Sequence, residues 1–173
     1  MRIWPARATT NCHLGRAAFA GFVGGYLMAL AGYWLQAVFG VSELNFAHNS
    51  LRYVSGGKQG WWIVGVVFHL IDSVLLGILY ATVVYQRLHF LGNRLGRFPG
   101  GVAAGSVFAT GVWLIMGMLI AMPFGGAGIF GRKTGSALPA VASYALHLIF
   151  GSFLGAIYES RVCSSDSRFR AGQ

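Results

Sequence analysis

Four apolar runs, each long enough to cross a bilayer, constrain this chain before any other feature does. They extend from Ala17 to Phe39, Trp61 to Tyr85, Gly101 to Met122 and Leu138 to Tyr158, and a hydrocarbon core of ~30 Å takes about 20 helical residues to span. Inside lipid every backbone N–H and C=O must find its partner within the segment, so each run is expected to be a helix. The composition agrees. With 55% hydrophobic and 10% charged residues among 173, and a mean hydropathy of +0.61, the chain lacks the polar surface a soluble domain needs. The expected fold class is therefore all-α, an integral membrane four-helix bundle. Residues 1–16 form an N-terminal tail, 17–158 the bundle and 159–173 a C-terminal tail.

The net charge of +9 points to topology rather than to nucleic acid. Arg2, Arg7 and Arg16 precede the first run, Arg87, Arg94 and Arg97 join the second to the third, and Arg161, Arg168 and Arg170 follow the fourth. The other side has only Arg52, Lys58, Arg132 and Lys133. Positive charge collects on the cytoplasmic side of a membrane, which puts both termini in the cytoplasm. The cationic clusters sit beside spans, where anionic headgroups are the expected partner, and a polynucleotide is not. Cys12 and Cys163 both fall in cytoplasmic tails, so no structural disulfide is expected. Ala29-Leu30-Ala31 imitates a signal-peptidase site, but the apolar run continues past it through Trp34 and Phe39, so the segment is read as a retained span.

The chain also repeats itself. His69 to Tyr80, HLIDSVLLGILY, and His147 to Tyr158, HLIFGSFLGAIY, agree at His, Leu, Ile, Leu, Gly and Tyr. On a helix His69, Ser73, Gly77 and Tyr80 share one face, as do His147, Gly151, Gly155 and Tyr158. Gly21-x-x-x-Gly25 in the first run superposes on Gly101-x-x-x-Gly105 in the third, with Tyr33 and Trp113 at the same later offset. Two tandem helical pairs, about 17–87 and 100–158, follow from this. Each contains an even number of spans, so both enter the membrane in the same direction and the second and fourth helices are parallel.

His69 and His147 should then face one another at nearly equal depth. Three arrangements account for such a pair. The rings could ligate a haem b iron from both sides, with Gly21, Gly25, Gly101 and Gly105 making room for the porphyrin and Ser73, Gly77, Gly151 and Gly155 lining it. They could join Asp72 in a two-His-one-carboxylate metal site. Or they could hydrogen-bond within a tightly packed bundle whose small residues are helix contacts. Asp72 is itself a candidate site residue, because an acid at the centre of a span costs about 3 kcal/mol on insertion scales. It breaks the symmetry, its counterpart being Phe150.

Other features carry less. Gly126 to Thr134 is a near miss to a phosphate-binding loop, without the strand and parallel sheet such a loop requires. Ser42 to Gly57 reads as a short helix on the outer membrane surface. No nucleophile stands beside a His and no carboxylates are paired, so a stand-alone catalyst is not expected.

The bundle resembles b-type cytochromes in taking histidines from its second and fourth helices, although those proteins usually carry two per helix. A closer resemblance is to a family of four-helix prokaryotic membrane proteins, a domain of unknown function. It rests on the doubled H-L-I-x-[SG]-x-x-L-G-x-[LI]-Y motif and on Ala121 to Phe130, AMPFGGAGIF. That resemblance implies the same fold and a place in a prokaryotic inner membrane, and brings no established activity. The resulting expectation is a binding or accessory subunit, in a homo-oligomer or larger membrane complex, with a bis-histidine haem b site for electron transfer. The alternatives are a cofactor-free scaffold and a metal-ion or small-solute transport component.

Overall fold

The computed structural model describes residues 8–40, 62–88, 90–124 and 128–160. The expected outer surface helix, both cysteine side chains, residues 1–7 and most of the C-terminal tail lie outside those residues. Among the described residues the chain is helical and has no strand. Helix α1 is Ala8–Phe39. Helix α2 runs Trp62–Leu79, widens into a π-helical turn over Tyr80–Val84 and resumes over Tyr85–Leu88. A short helix α3, Phe90–Leu95, leads to α4, which is Arg97–Val112 followed by π-helical turns over Trp113–Ala121 and an end at Met122–Phe124. A 3-10 segment, Ile129–Thr134, precedes α5, Leu138–Ser160.

Helices α1, α2, α4 and α5 are long and apolar enough to cross a membrane. Their outward faces carry large apolar side chains such as Phe22, Trp34, Phe68 and Leu75, all exposed. Such a surface is costly in water and suited to acyl chains, consistent with a multi-pass membrane protein.

Five boundaries extend past expectation, the ends of α2 at Leu88 and α4 at Phe124 and three others with clear local causes. Helix α1 begins at Ala8, two turns before Ala17, because no proline intervenes and Thr9 and Asn11 do not stop it. Helix α4 begins at Arg97, since Gly96 takes φ 88°, a left-handed conformation that frees the chain to turn. Pro99 then falls in the first turn, where its missing N–H has no helical partner to lose. Helix α5 continues to Ser160, so Glu159 belongs to the bundle rather than to the tail, and it is 8% exposed. At its start the Leu138 amide donates to Ser136 Oγ at 3.1 Å, and Pro139 occupies the first turn. The loop that imitates a phosphate-binding sequence ends in the 3-10 segment, with Gly131 and Gly135 at positive φ.

Glycine sets the helix register. A methyl on Gly21 would overlap the Ser73 carbonyl and lie 3.1 Å from Gly77 Cα, and one on Gly77 would overlap the Ala17 carbonyl. A methyl on Gly101 would sit 2.7 Å from the Gly155 carbonyl oxygen, and methyls on Gly105 and Gly151 would each overlap the other's carbonyl. So α1 lies backbone to backbone on α2, and α4 on α5, each pair antiparallel. Small residues four apart allow this approach, and dispersion across the contact stabilises it. The α4–α5 contact adds Ser106 to Ser152, with hydroxyls 3.3 Å apart, and Thr110 to Tyr144, also 3.3 Å apart.

The two pairs are joined through α1 and α5. Gly24 lies against the Phe150 carbonyl, which would be 2.9 Å from an added methyl, and Phe150 is 2% exposed. Because α2 and α5 are both antiparallel to α1, they run parallel to one another. Helices α2 and α4 approach chiefly where Tyr80 packs on Phe108, with ring centroids 5.4 Å apart.

Candidate functional site

The histidine motif brings both imidazoles inside the bundle, within electrostatic range of one another. They do not make equivalent bonds. His69 Nε2 lies 3.2 Å from the Gly25 carbonyl oxygen of α1. A carbonyl only accepts, so Nε2 carries the hydrogen. Ser73 Oγ donates to the His69 carbonyl at 2.8 Å, which turns its side chain against Gly25. His147 instead uses Nδ1, which donates to the Ser143 carbonyl one turn back at 2.8 Å. Its other edge faces Gly117 of α4, where a methyl would lie 3.9 Å from Nε2. As neutral rings the two are opposite tautomers.

The bis-histidine haem expectation finds no support in this geometry. The His69 Nε2 edge is turned onto the Gly25 carbonyl of α1, and the His147 Nδ1 edge onto the Ser143 carbonyl of its own helix. The glycines expected to seat a porphyrin, Gly21, Gly25, Gly101 and Gly105, are closed by facing backbone or by Ser73, and Gly77, Gly151 and Gly155 are the other halves of those contacts. A flat macrocycle has no face to lie on there, and the residues do not fit a haem. Nor do His69, His147 and Asp72 assemble as metal ligands. Among the described residues no three His, Cys, Asp or Glu side chains gather closely enough to hold an ion.

Asp72 is half-buried and interacts electrostatically with His69. It holds the place in the repeat that Phe150 holds in α5, where Phe150 meets Gly24 of the other helical pair. On α4, Trp113 stacks on Tyr144 of α5 with centroids 4.8 Å apart, while its buried Nε1 donor has no acceptor among the described residues. Among the described residues the interior thus holds two orphan donors, Trp113 Nε1 and the Tyr80 hydroxyl, besides two imidazoles, a carboxylate and the buried Ser73 and Ser143.

A second cluster, at the bundle end that carries the motif tyrosines, went unrecognised in the sequence. Tyr80, Tyr85 and Tyr158 form a triangle of rings, with centroids 4.8 to 6.0 Å apart. Tyr85 Oη donates a short hydrogen bond to Glu159 Oε1. Arg16 Nη1 donates to the Tyr158 carbonyl at 2.9 Å, and its guanidinium lies 5.9 Å from that ring's centroid. Tyr80 is 0% exposed and its hydroxyl has no partner. The repeat marked two of these tyrosines. Glu159 was hidden by its position one residue past the apolar run, and Arg16 by its reading as a headgroup charge.

Comparison with known protein families, curated proteins and solved structures finds no match for this chain.

Proposed function

We propose that the chain crosses a prokaryotic inner membrane four times as two tandem helical pairs, with both termini in the cytoplasm, and acts as a cofactor-free accessory subunit of a larger membrane assembly. The observation that carries this reading is the closure of the glycine faces. Gly21 on Gly77 and Gly105 on Gly151 use the small-residue stripes for internal packing, and His69 Nε2 donates to the Gly25 carbonyl. What remains is a rigid apolar body with its polar groups inside, suited to holding neighbours in place. The equal spacing of Gly21 to Gly25 and Gly101 to Gly105, each set against the His-motif helix of its own pair, supports a tandem origin.

The test is purification from native membranes in a mild detergent, with an absorption spectrum and a native gel from the same sample. A colourless protein that migrates with a larger assembly is the expected result. A haem band lost in His147→Ala, or migration as a bare bundle, overturns the proposal.

A further inference from the structure

The two seams that join the helical pairs are not alike. Between α1 and α5, Phe150 is 2% exposed against Gly24, and Ala31 and Leu35 of α1 pack on the core. The corresponding seam lies between α2 and α4. There the counterparts of Ala31 and Leu35 are Gly111, exposed with nothing within 4 Å of an added methyl, and Ile115, 56% exposed. The counterpart of Phe150 is Asp72. One seam is shut by an aromatic ring, and the other stands open with a carboxylate on its wall.

Asp72 accepts no hydrogen bond and forms no ion pair among the described residues, and His69 is its electrostatic neighbour. It lies nine residues beyond Ile63, where the span starts. At a rise of 1.5 Å per residue that is about 14 Å, near the middle of a core of ~30 Å. A carboxylate at that depth is stable when a cation meets it. A second copy of this chain cannot supply one. No Lys or Arg lies at mid-span in any of the four runs, and Arg16 and Arg87 sit at the tyrosine end of the bundle.

We propose that the open α2–α4 seam receives a transmembrane helix of a different polypeptide, carrying a Lys or Arg at mid-membrane depth that pairs with Asp72. This rests on the accessory-subunit reading and names the chemistry of its partner. Gly111 adds a small residue where that helix can come close.

The test uses the full chain co-expressed in bacterial membranes with a host helix of about 20 Leu and Ala residues. The host carries either Lys or Leu at its centre, and association is read by energy transfer between fluorescent fusions. The Lys host is expected to associate about tenfold more than the Leu host, a difference lost in Asp72→Asn. Asp72→Lys should regain it with an Asp-bearing host. A cysteine at Gly111 should crosslink to the host, while one at Phe19, on the lipid face of α1, should not.

Equal association of Lys and Leu hosts, persistence in Asp72→Asn, or crosslinking at Phe19 as readily as at Gly111 overturns the seam proposal. Equal association is also what a small soluble cation at Asp72 would produce. These outcomes are independent of the native-gel result, so the seam can fail while the accessory reading stands, and the reverse.

Discussion

Gly105 and Gly151 meet with each backbone lying where the other's side chain would begin. A methyl on either would overlap the opposing carbonyl oxygen, and neither carbonyl can move without moving its helix. Gly105→Ala and Gly151→Ala are therefore expected to destabilise the bundle by about 1–3 kcal/mol, the usual cost of overpacking a close contact. Gly111→Ala has open space and should stay within about 1 kcal/mol of wild type. Unfolding in mixed detergent micelles, followed by circular dichroism, separates the two classes. Equal effects at all three positions would show that the glycines matter for something other than close approach.

The phenols at the tyrosine end make a paired prediction. Tyr85 donates to the buried Glu159, so Tyr85→Phe withdraws a donor from a group that is costly to leave unsatisfied, and about 1–3 kcal/mol of stability should go with it. Tyr80 keeps its ring contacts without its hydroxyl, which has no partner. Tyr80→Phe should therefore be neutral or stabilising by about 1 kcal/mol. The same unfolding measurement checks both, and a large loss in Tyr80→Phe would mean that this hydroxyl has a partner in the membrane.

Arg16 ties the start of α1 to the end of α5 through the Tyr158 carbonyl and ring. Helix C-termini present unpaired carbonyls and a partial negative charge, which a guanidinium answers on both counts. Arg16→Ala is expected to cost about 1–2 kcal/mol, and Arg16→Lys less, because the charge survives while the planar stacking does not. Faster hydrogen exchange over the last turn of α5 in Arg16→Ala, with the middle of that helix unchanged, would locate the effect. Uniform exchange along α5 would contradict it.

How far the sequence carried these conclusions depended on the kind of signal. The number of long apolar helices and their pairing were legible, because four runs are long and apolar enough to cross a membrane and small residues four apart mark close contacts. The glycines were seen correctly as permitting approach, but spacing alone does not say whether a helix or a ligand fills the place. Only the facing carbonyls of Ser73, Gly151 and Gly155 decide that. Asp72 stood out as an acid in a span, yet its meaning came from the unequal seams, which need the helices placed around the bundle. Glu159 was missed because hydropathy ends a span where the charge begins, whereas Tyr85 extends the buried region one residue further.

The different bonds of His69 and His147 give the most direct test of the interior. His69 donates through Nε2 to Gly25, and His147 through Nδ1 to Ser143, although the two rings occupy matching places in the repeat. The two copies also differ beside the rings, since Ser73 holds its side chain against Gly25 and bonds the His69 carbonyl where the second copy has Gly151. Nitrogen NMR of the histidine-labelled protein in lipid should resolve two buried neutral rings with opposite protonated nitrogens. Ser73→Gly, which makes the first pair like the second, should loosen the His69 bond and leave the His147 signals in place. Two rings protonated on the same nitrogen, or a single averaged signal, would contradict the separate bonds to Gly25 and Ser143.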